Sequence, residues 1–200
     1  MLWKIIQRLN ALIEAGLVYG KDAFDLERYQ EMKQLMNELT RELTEMNIEE
    51  LKEIFGESKG YPTPKIDVRA FILNQKKQVL LVKEKRNDEW SLPGGYGEIG
   101  YSLNDNILKE IFEETGHQAR ILRLLAVFDT NHWQPQASQY YKFVFYARIL
   151  DGVFQENIET SEIRYFSVDE LPESLSQKRN TKEQIEKLFE LVEKQQIYID

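Results

Sequence analysis

The sequence predicts an α/β domain preceded by a small helical domain, and three observations carry that expectation. Apolar residues recur at helical spacing through roughly the first fifty positions. From Lys65 the period changes to two, as in strands with one face turned inward. Between Trp90 and His117 a glycine-rich turn (Gly94, Gly95, Gly97, Gly100) runs straight into a segment carrying helix start and stop signals.

The first helix is marked by Leu2, Trp3, Ile5, Ile6, Leu9, Leu12, Ile13 and Leu17. Lys4, Gln7, Arg8, Asn10 and Glu14 interrupt any signal-peptide apolar run, so the segment is amphipathic. A second helix is expected from Asp25 to Thr44, with Leu26, Tyr29, Met32, Leu35, Met36, Leu39 and Leu43 on its buried side. A third, short one is expected from about Ile48 to Phe55, stopped by Gly56. The Tyr-Pro-Thr-Pro run of Tyr61 to Pro64 cannot be helical throughout. The boundaries are therefore 1–57 for a helical domain, 58–64 for a linker and 65–200 for the second domain. Three short helices make a poor core by themselves. They are expected to pack on the second domain or on a second copy, and a homodimer is the expectation.

In the second domain, Ile66, Val68, Ala70 and Ile72 alternate with Lys65, Asp67, Arg69 and Phe71. Asn74 to Lys77 is a turn and Val79 to Lys83 a second strand, together a hairpin. Arg69 either grips a phosphate or pairs with Asp67 or another acid. Lys83, Lys85 and Arg86 form a basic cluster that is solvated or touches a phosphate. Ser102 followed by Asp105 is an acidic variant of the capping box, and Gly116 suits a helix C-terminus. Gln118 to Phe128 is a buried strand, Asp129 to Gln139 a polar loop, and Tyr140 to Leu150 a long strand. Asp151-Gly152 is a hairpin turn, Ile163 to Phe166 a short strand, and Thr181 to Gln196 a closing helix with Ile185, Leu188, Phe189 and Val192 inward. Trp133 in the loop either stacks on a base, with Tyr140 at the loop's border, or covers the edge of the core. His132 has no identifiable Ser or Cys partner and receives no catalytic role.

Glu110, Glu113 and Glu114 stand at i, i+3 and i+4 and fall within a ~100° sector of one helix face. Like charges at that spacing repel, and a hard cation bound by oxygen ligands would remove the repulsion.

These residues resemble the Nudix box, G-x5-E-x7-R-E-U-x-E-E-x-G-U with U a bulky apolar residue. Gly95 takes the first glycine, Glu110 the Glu of the R-E pair, Ile111 the first U, Glu113-Glu114 the E-E pair, and Gly116 the last glycine. Tyr101 stands in place of the first Glu, Lys109 in place of the Arg, and His117 in place of the closing apolar residue. The amino-terminal helices followed by G-Y-P-T-P-K-I-D-V-R-A extend the resemblance to a Nudix subgroup that hydrolyses nucleoside diphosphates linked to a further group X. The resemblance implies a Nudix α/β/α sandwich with a mixed sheet, Mg²⁺ or Mn²⁺ as cofactor, and a metal set of Gly95, Glu110, Glu113 and Glu114. Glu98 and Glu162 occupy positions where some members carry further acids. In the chemistry that follows, a bound water attacks one phosphorus of a bridging diphosphate. Glu110, Glu113 and Glu114 are the expected catalytic residues with Lys109, which can steady Glu113 one turn on. Arg69, Trp133 and Tyr140 are the substrate-binding candidates, and ADP-ribose or CDP-choline the leading substrates.

Composition sets bounds on this. The net charge of −8 argues against a nonspecific nucleic-acid binder, and no long apolar run is present to enter a membrane. Absence of Cys excludes disulfides and cysteine catalysis, and it fits the reducing cytoplasm as the expected location. Two alternatives stay open: a nucleoside triphosphate pyrophosphohydrolase, and a catalytically weak nucleotide-sensing domain whose support is Tyr101.

Overall fold

A computed structural model describes residues 2–44 and 61–200. The helix expected at 48–55 lies outside the described residues. The chain divides into two compact units, 1–64 with 135–139, and 65–134 with 140–200.

The first unit holds α1 (Leu2–Tyr19) and α2 (Ala23–Thr44). The second helix starts before Asp25 because the Asp22 carboxylate accepts from the N–H groups of Phe24 and Asp25, at 3.0 and 3.1 Å. The two helices bury Ile6, Ile13 and Met36 between them, with Trp3 and Leu17 packed alongside. Met32, Leu35, Leu39 and Leu43, expected inward, are instead 45–57% exposed. Two antiparallel helices can bury only the seam between them. The rest of a wide apolar face stays open, and Leu2, Ile5, Leu9 and Leu12 of α1 are uncovered in the same way. Among the described residues, no helix is long and apolar enough to cross a membrane.

The second unit contains β1 (Lys65–Ile72), β2 (Val79–Glu84), β3 (Trp90–Ser91), β4 (Gly94–Tyr96), α3 (Leu103–Thr115), β5 (His117–Asp129) and a single turn α4 (Thr130–Trp133). It continues with β6 (Tyr140–Gly152), β7 (Thr160–Phe166), α5 (Lys182–Glu193) and β8 (Tyr198–Ile199). One sheet has the order β4-β1-β6-β5-β8 and the other β3-β2-β7. The larger sheet is mixed: β1 runs parallel to β6 and antiparallel to β4. Helix α3 covers one core through Ile107 and Ile111, packed with Val68, Ala70, Ile72 and Leu80. Helix α5 covers the other through Ile185, Leu188 and Leu191, packed with Phe71, Leu81, Phe128 and Val144. This is a mixed-sheet α/β/α arrangement.

Two local expectations are corrected. β1 and β2 do not form a hairpin; only Leu73 bridges Val79 across the turn. Both edges of β1 are already taken, by β4 and β6, so β2 has to join the other sheet. Asp151-Gly152 is not a turn either, because β6 continues and Gly152 pairs with His117. Glycine is needed there for close approach: a Cβ would lie 2.4 Å from the Gly116 carbonyl oxygen.

Candidate active site

The glycine turn and α3 build the site together. Ser102 caps α3, accepting from the Asp105 N–H at 3.1 Å, and Gly116 ends it in the left-handed region at φ 70°. Gly94 holds φ 139°, with no room for a Cβ against the Val68 carbonyl. The turn therefore lies directly on the helix. The Gly94 N–H donates to Glu114 Oε2 at 2.8 Å, and a Cβ on Gly95 would meet the Glu110 carboxylate at 2.7 Å.

The three glutamates occupy graded environments. Glu114 is buried, Glu110 half-buried and Glu113 exposed. Burial pushes the Glu114 carboxyl up to about 8, against the pull of Arg69 and the Gly94 N–H, and the neighbouring Glu110 adds to the rise. Burial also raises Glu110, with Lys109 and Arg69 opposing it. Lys109 Nζ bridges Glu98 and Glu113 at 2.9 Å each. The Lys109 ammonium is held well above its ordinary range by hydrogen bonds to Glu113 and Glu98.

Arg69 spends its guanidinium inside the protein. Nε and Nη2 donate to the two Asp67 oxygens at 2.8 and 2.9 Å, and Nη1 donates to the Leu92 carbonyl at 3.2 Å. Burial alone would lower its pKa, but Asp67 outweighs that and the group stays a cation. At 2% exposure its guanidinium is committed to Asp67 and Leu92 and does not offer a phosphate grip. Trp133 packs edge-on against Phe128 and Tyr198, and its indole N–H donates to Asp200. These contacts make it a cover of the core edge. Tyr140 stacks on Tyr96, with ring centroids 5.6 Å apart and planes 9° from parallel, so the exposed aromatic surface beside the glycine turn belongs to Tyr96. Glu162 pairs with Arg164 on β7, in the smaller sheet. Tyr101 is 52% exposed. His117 opens β5 and donates through Nδ1 to the Thr115 carbonyl at 2.7 Å, so a polar contact replaces the apolar one at the helix end.

Among the described residues no group of three His, Cys, Asp or Glu side chains is arranged to hold an ion. The donor set nevertheless suits a hard dication. It is all oxygen, and burial disfavours ionisation of Glu110 and Glu114, a cost that a bound cation would offset. Three asparagines also shape the site. Asn106 is buried on α3; its Oδ1 accepts from the Glu98 N–H at 3.1 Å, and its amide donates to the Glu98 and Ser102 carbonyls. Asn157 Nδ2 donates to the last carbonyls of α3, at Glu113 and Glu114. Asn180 Oδ1 accepts from the Leu92 N–H at 3.2 Å. An inward-facing polar residue between Leu103 and Ile107 was a signal for Asn106; the other two act across long sequence separations and gave none.

Comparison with known proteins agrees with this geometry. The NUDIX domain family model matches residues 63–189, and the model for a UDP-X-like N-terminal oligomerisation domain matches residues 2–55. The Bacillus subtilis protein YjhB, named provisionally as an ADP-ribose pyrophosphatase, is 43% identical over 93% of this chain and 89% of its own. A solved UDP-X diphosphatase is 46% identical, covers 98% of this chain and 97% of its own, and superposes with a TM-score of 0.68. A Streptococcus suis ADP-ribose pyrophosphatase is 36% identical, spanning 69% of this chain and all of its own, with a TM-score of 0.63. The glycine turn, the capped carboxylate helix and the amino-terminal helices thus have one common source: the chain belongs to the Nudix pyrophosphatase family, in the group that carries a UDP-X-like amino-terminal domain.

Proposed function

We propose that the protein hydrolyses the diphosphate bond of nucleoside diphosphates joined to another group, with Mg²⁺ or Mn²⁺ held by Glu110, Glu113 and Glu114. The observation that carries the proposal is the pair of sequestered carboxylates, Glu110 and Glu114, lying directly under the backbone of Gly94 and Gly95. When bound, the cation would neutralise diphosphate charge and lower the pKa of an attacking water. The chain's own residues prepare that site. The Gly94 N–H fixes Glu114, the bare Cα of Gly95 leaves Glu110 its space, and Lys109 orients Glu113 and Glu98. A water oxygen bonds to one phosphorus and the bridging oxygen leaves with the other phosphate. The products are a nucleoside monophosphate and a phosphorylated X. The substrate class is supported by the relatives named for UDP-X and ADP-ribose, and CDP-choline stays among the candidates.

The open apolar face of α1 and α2 supports a homodimer formed through the amino-terminal unit, in keeping with the oligomerisation domain matched there. The cysteine-free sequence suits the cytoplasm. Specificity constants with Mg²⁺ and Mn²⁺ for ADP-ribose, a UDP-sugar, CDP-choline and several triphosphates test the assignment. Conjugates should be cleaved to a monophosphate and a phosphorylated partner. A tenfold preference for any triphosphate, with pyrophosphate released, would transfer the chain to the triphosphate class, and an intact panel would leave a sensor.

A further inference from the structure

We infer that Asn180, from the segment preceding α5, is a positioning residue for Glu114, acting through the backbone of the glycine turn; as a statement about catalysis this rests on the hydrolase reading above. The argument follows one stretch of main chain. Leu92 is fully buried, and both of its peptide groups are held by side chains. Its N–H donates to Asn180 Oδ1 at 3.2 Å, and its carbonyl accepts from Arg69 Nη1 at 3.2 Å. The next carbonyl, of Pro93, accepts from the Ala70 N–H at 2.8 Å. The N–H after that, on Gly94, is the one that reaches Glu114 at 2.8 Å. Asn180 thus supplies the first fixed point of a short relay that ends on a proposed metal ligand.

The segment from Ser174 to Asn180 is built to hold that point still. Trp90 donates to the Ser174 carbonyl and Ser176 donates to the Trp90 carbonyl, both at 2.8 Å. Asn180 N–H and Arg179 N–H both return to the Ser176 carbonyl, closing a tight turn. Arg179 Nε lies 2.5 Å from the buried Glu84 carboxylate. On the other side, Lys142 Nζ donates to the Arg179 carbonyl, and Gln134 Nε2 donates to the Gln177 carbonyl at 2.8 Å. A segment of seven residues is tied to β2, β3, β6 and the residue that follows α4, and it presents one side-chain oxygen to the turn. Backbone N–H groups buried without a partner are rare because leaving one unpaired is costly. Removing Asn180 Oδ1 therefore frees Leu92 to shift, and Gly94 with it.

The geometry also supplies a conservative replacement. Asn180 Nδ2 is buried and finds no hydrogen-bond partner among the described residues, so the amide nitrogen is dispensable. Position 180 precedes Thr181, the N-cap of α5, where the helix dipole favours an acidic side chain. Asn180→Asp keeps an acceptor for Leu92, whereas Asn180→Ala and the near-isosteric Asn180→Leu do not.

Full-length parent and variants are compared by amide exchange and by kinetics with Mn²⁺. Exchange needs no substrate, so it separates failure of the relay from failure of the hydrolase reading. Asn180→Ala and Asn180→Leu should speed exchange at both Leu92 and Gly94 at least tenfold, while Asn180→Asp stays within threefold of the parent. On the cleaved conjugate, Ala and Leu should lower kcat about 10- to 100-fold with KM within twofold, Asp should restore it, and Asn180→Ala should cost nothing more in a Glu114→Gln background. Unchanged Gly94 exchange in both Ala and Leu variants overturns the relay. So does a kcat loss that Asp fails to restore, or one that adds in full to Glu114→Gln.

Discussion

Replacing Glu114 by Gln should flatten the pH dependence of the metal-free protein's stability while disabling the enzyme. The Glu114 carboxyl is raised from 4.5 to about 8 by burial. A carboxyl whose folded pKa exceeds its unfolded value contributes stability that is complete below about pH 4.5 and is lost as pH rises through about 8. Between pH 5 and pH 7 that loss amounts to roughly 2–3 kcal/mol at 1.36 kcal/mol per pKa unit. For a chain of this length such a change corresponds to about 5–10 °C in Tm. This interval lies below that of Lys142, which burial pulls down to about 7 and which favours the folded state only as pH rises from there. The amide introduced by Glu114→Gln keeps an acceptor for the Gly94 N–H and carries no ionisable proton; its nitrogen needs a new partner, which costs about 1–3 kcal/mol at every pH. The pH dependence is therefore the diagnostic quantity. Thermal melts in EDTA at pH 5 and pH 7 should show the parent losing several degrees more than the variant across the interval. A residual slope is expected, since Glu110 is shifted in the same direction. Millimolar Mn²⁺ should raise the parent's Tm clearly more than the variant's, because the variant keeps only two of the three proposed charged ligands. Equal pH slopes in parent and variant would refute the burial argument, and equal Mn²⁺ shifts would remove Glu114 from the metal set.

Steady-state turnover in Glu113→Gln and Glu114→Gln should each fall by at least about 10²-fold with the fold retained by thermal melt. Lys109→Ala should lower kcat more than Lys109→Arg, because an Arg at that position can still bridge Glu98 and Glu113; equal losses would show that the bridge is only a surface contact. Light scattering should find full-length protein dimeric at micromolar concentration and the 65–200 fragment monomeric, and a monomeric full-length chain would leave the apolar face of α1 and α2 without its proposed partner. Tyr96→Ala should raise KM for the nucleotide about tenfold with little change in kcat if the exposed ring stacks on the base, since such a contact is worth about 1–3 kcal/mol.

Much of the site was legible because its residues are close in sequence and its signals are local. Ser102, Asp105 and Gly116 delimit α3 by hydrogen-bond chemistry that acts over three or four residues, so both ends could be placed without tertiary information. Lys109 and Glu113 meet because they are four residues apart on a helix. The role of Arg69 could only be left between two readings. Alternation placed it beside Asp67 on one face of β1, yet whether that face met solvent or protein depended on Leu92, more than twenty positions away. Trp133 was ambiguous for a similar reason, since its partners Tyr198 and Asp200 come from the end of the chain. The supposed hairpin of β1 and β2 failed on the same ground: local turn chemistry was read correctly at Asn74 to Lys77, but sheet membership was decided by which strands already held the edges of β1.

The three glutamates show where local periodicity stops being informative. Spacing alone makes Glu110, Glu113 and Glu114 equivalent members of one acidic face. The structure makes them unequal, because the glycine turn descends on the helix at 94 and 95 and covers two of the three. A solvated acidic stripe would leave all three carboxylates with ordinary acidity and water for company. Here the fold places Glu114 where ionisation is costly and gives it a single N–H, while Glu113 is left outside on an ammonium group. Packing alone does not require a buried carboxylate at that point; an apolar residue would fill the space under Gly94 without the desolvation cost. A carboxyl that burial keeps protonated, beside a half-buried second one, is in keeping with the proposed cation, which would bind both and favour their ionisation only in the metal-bound state.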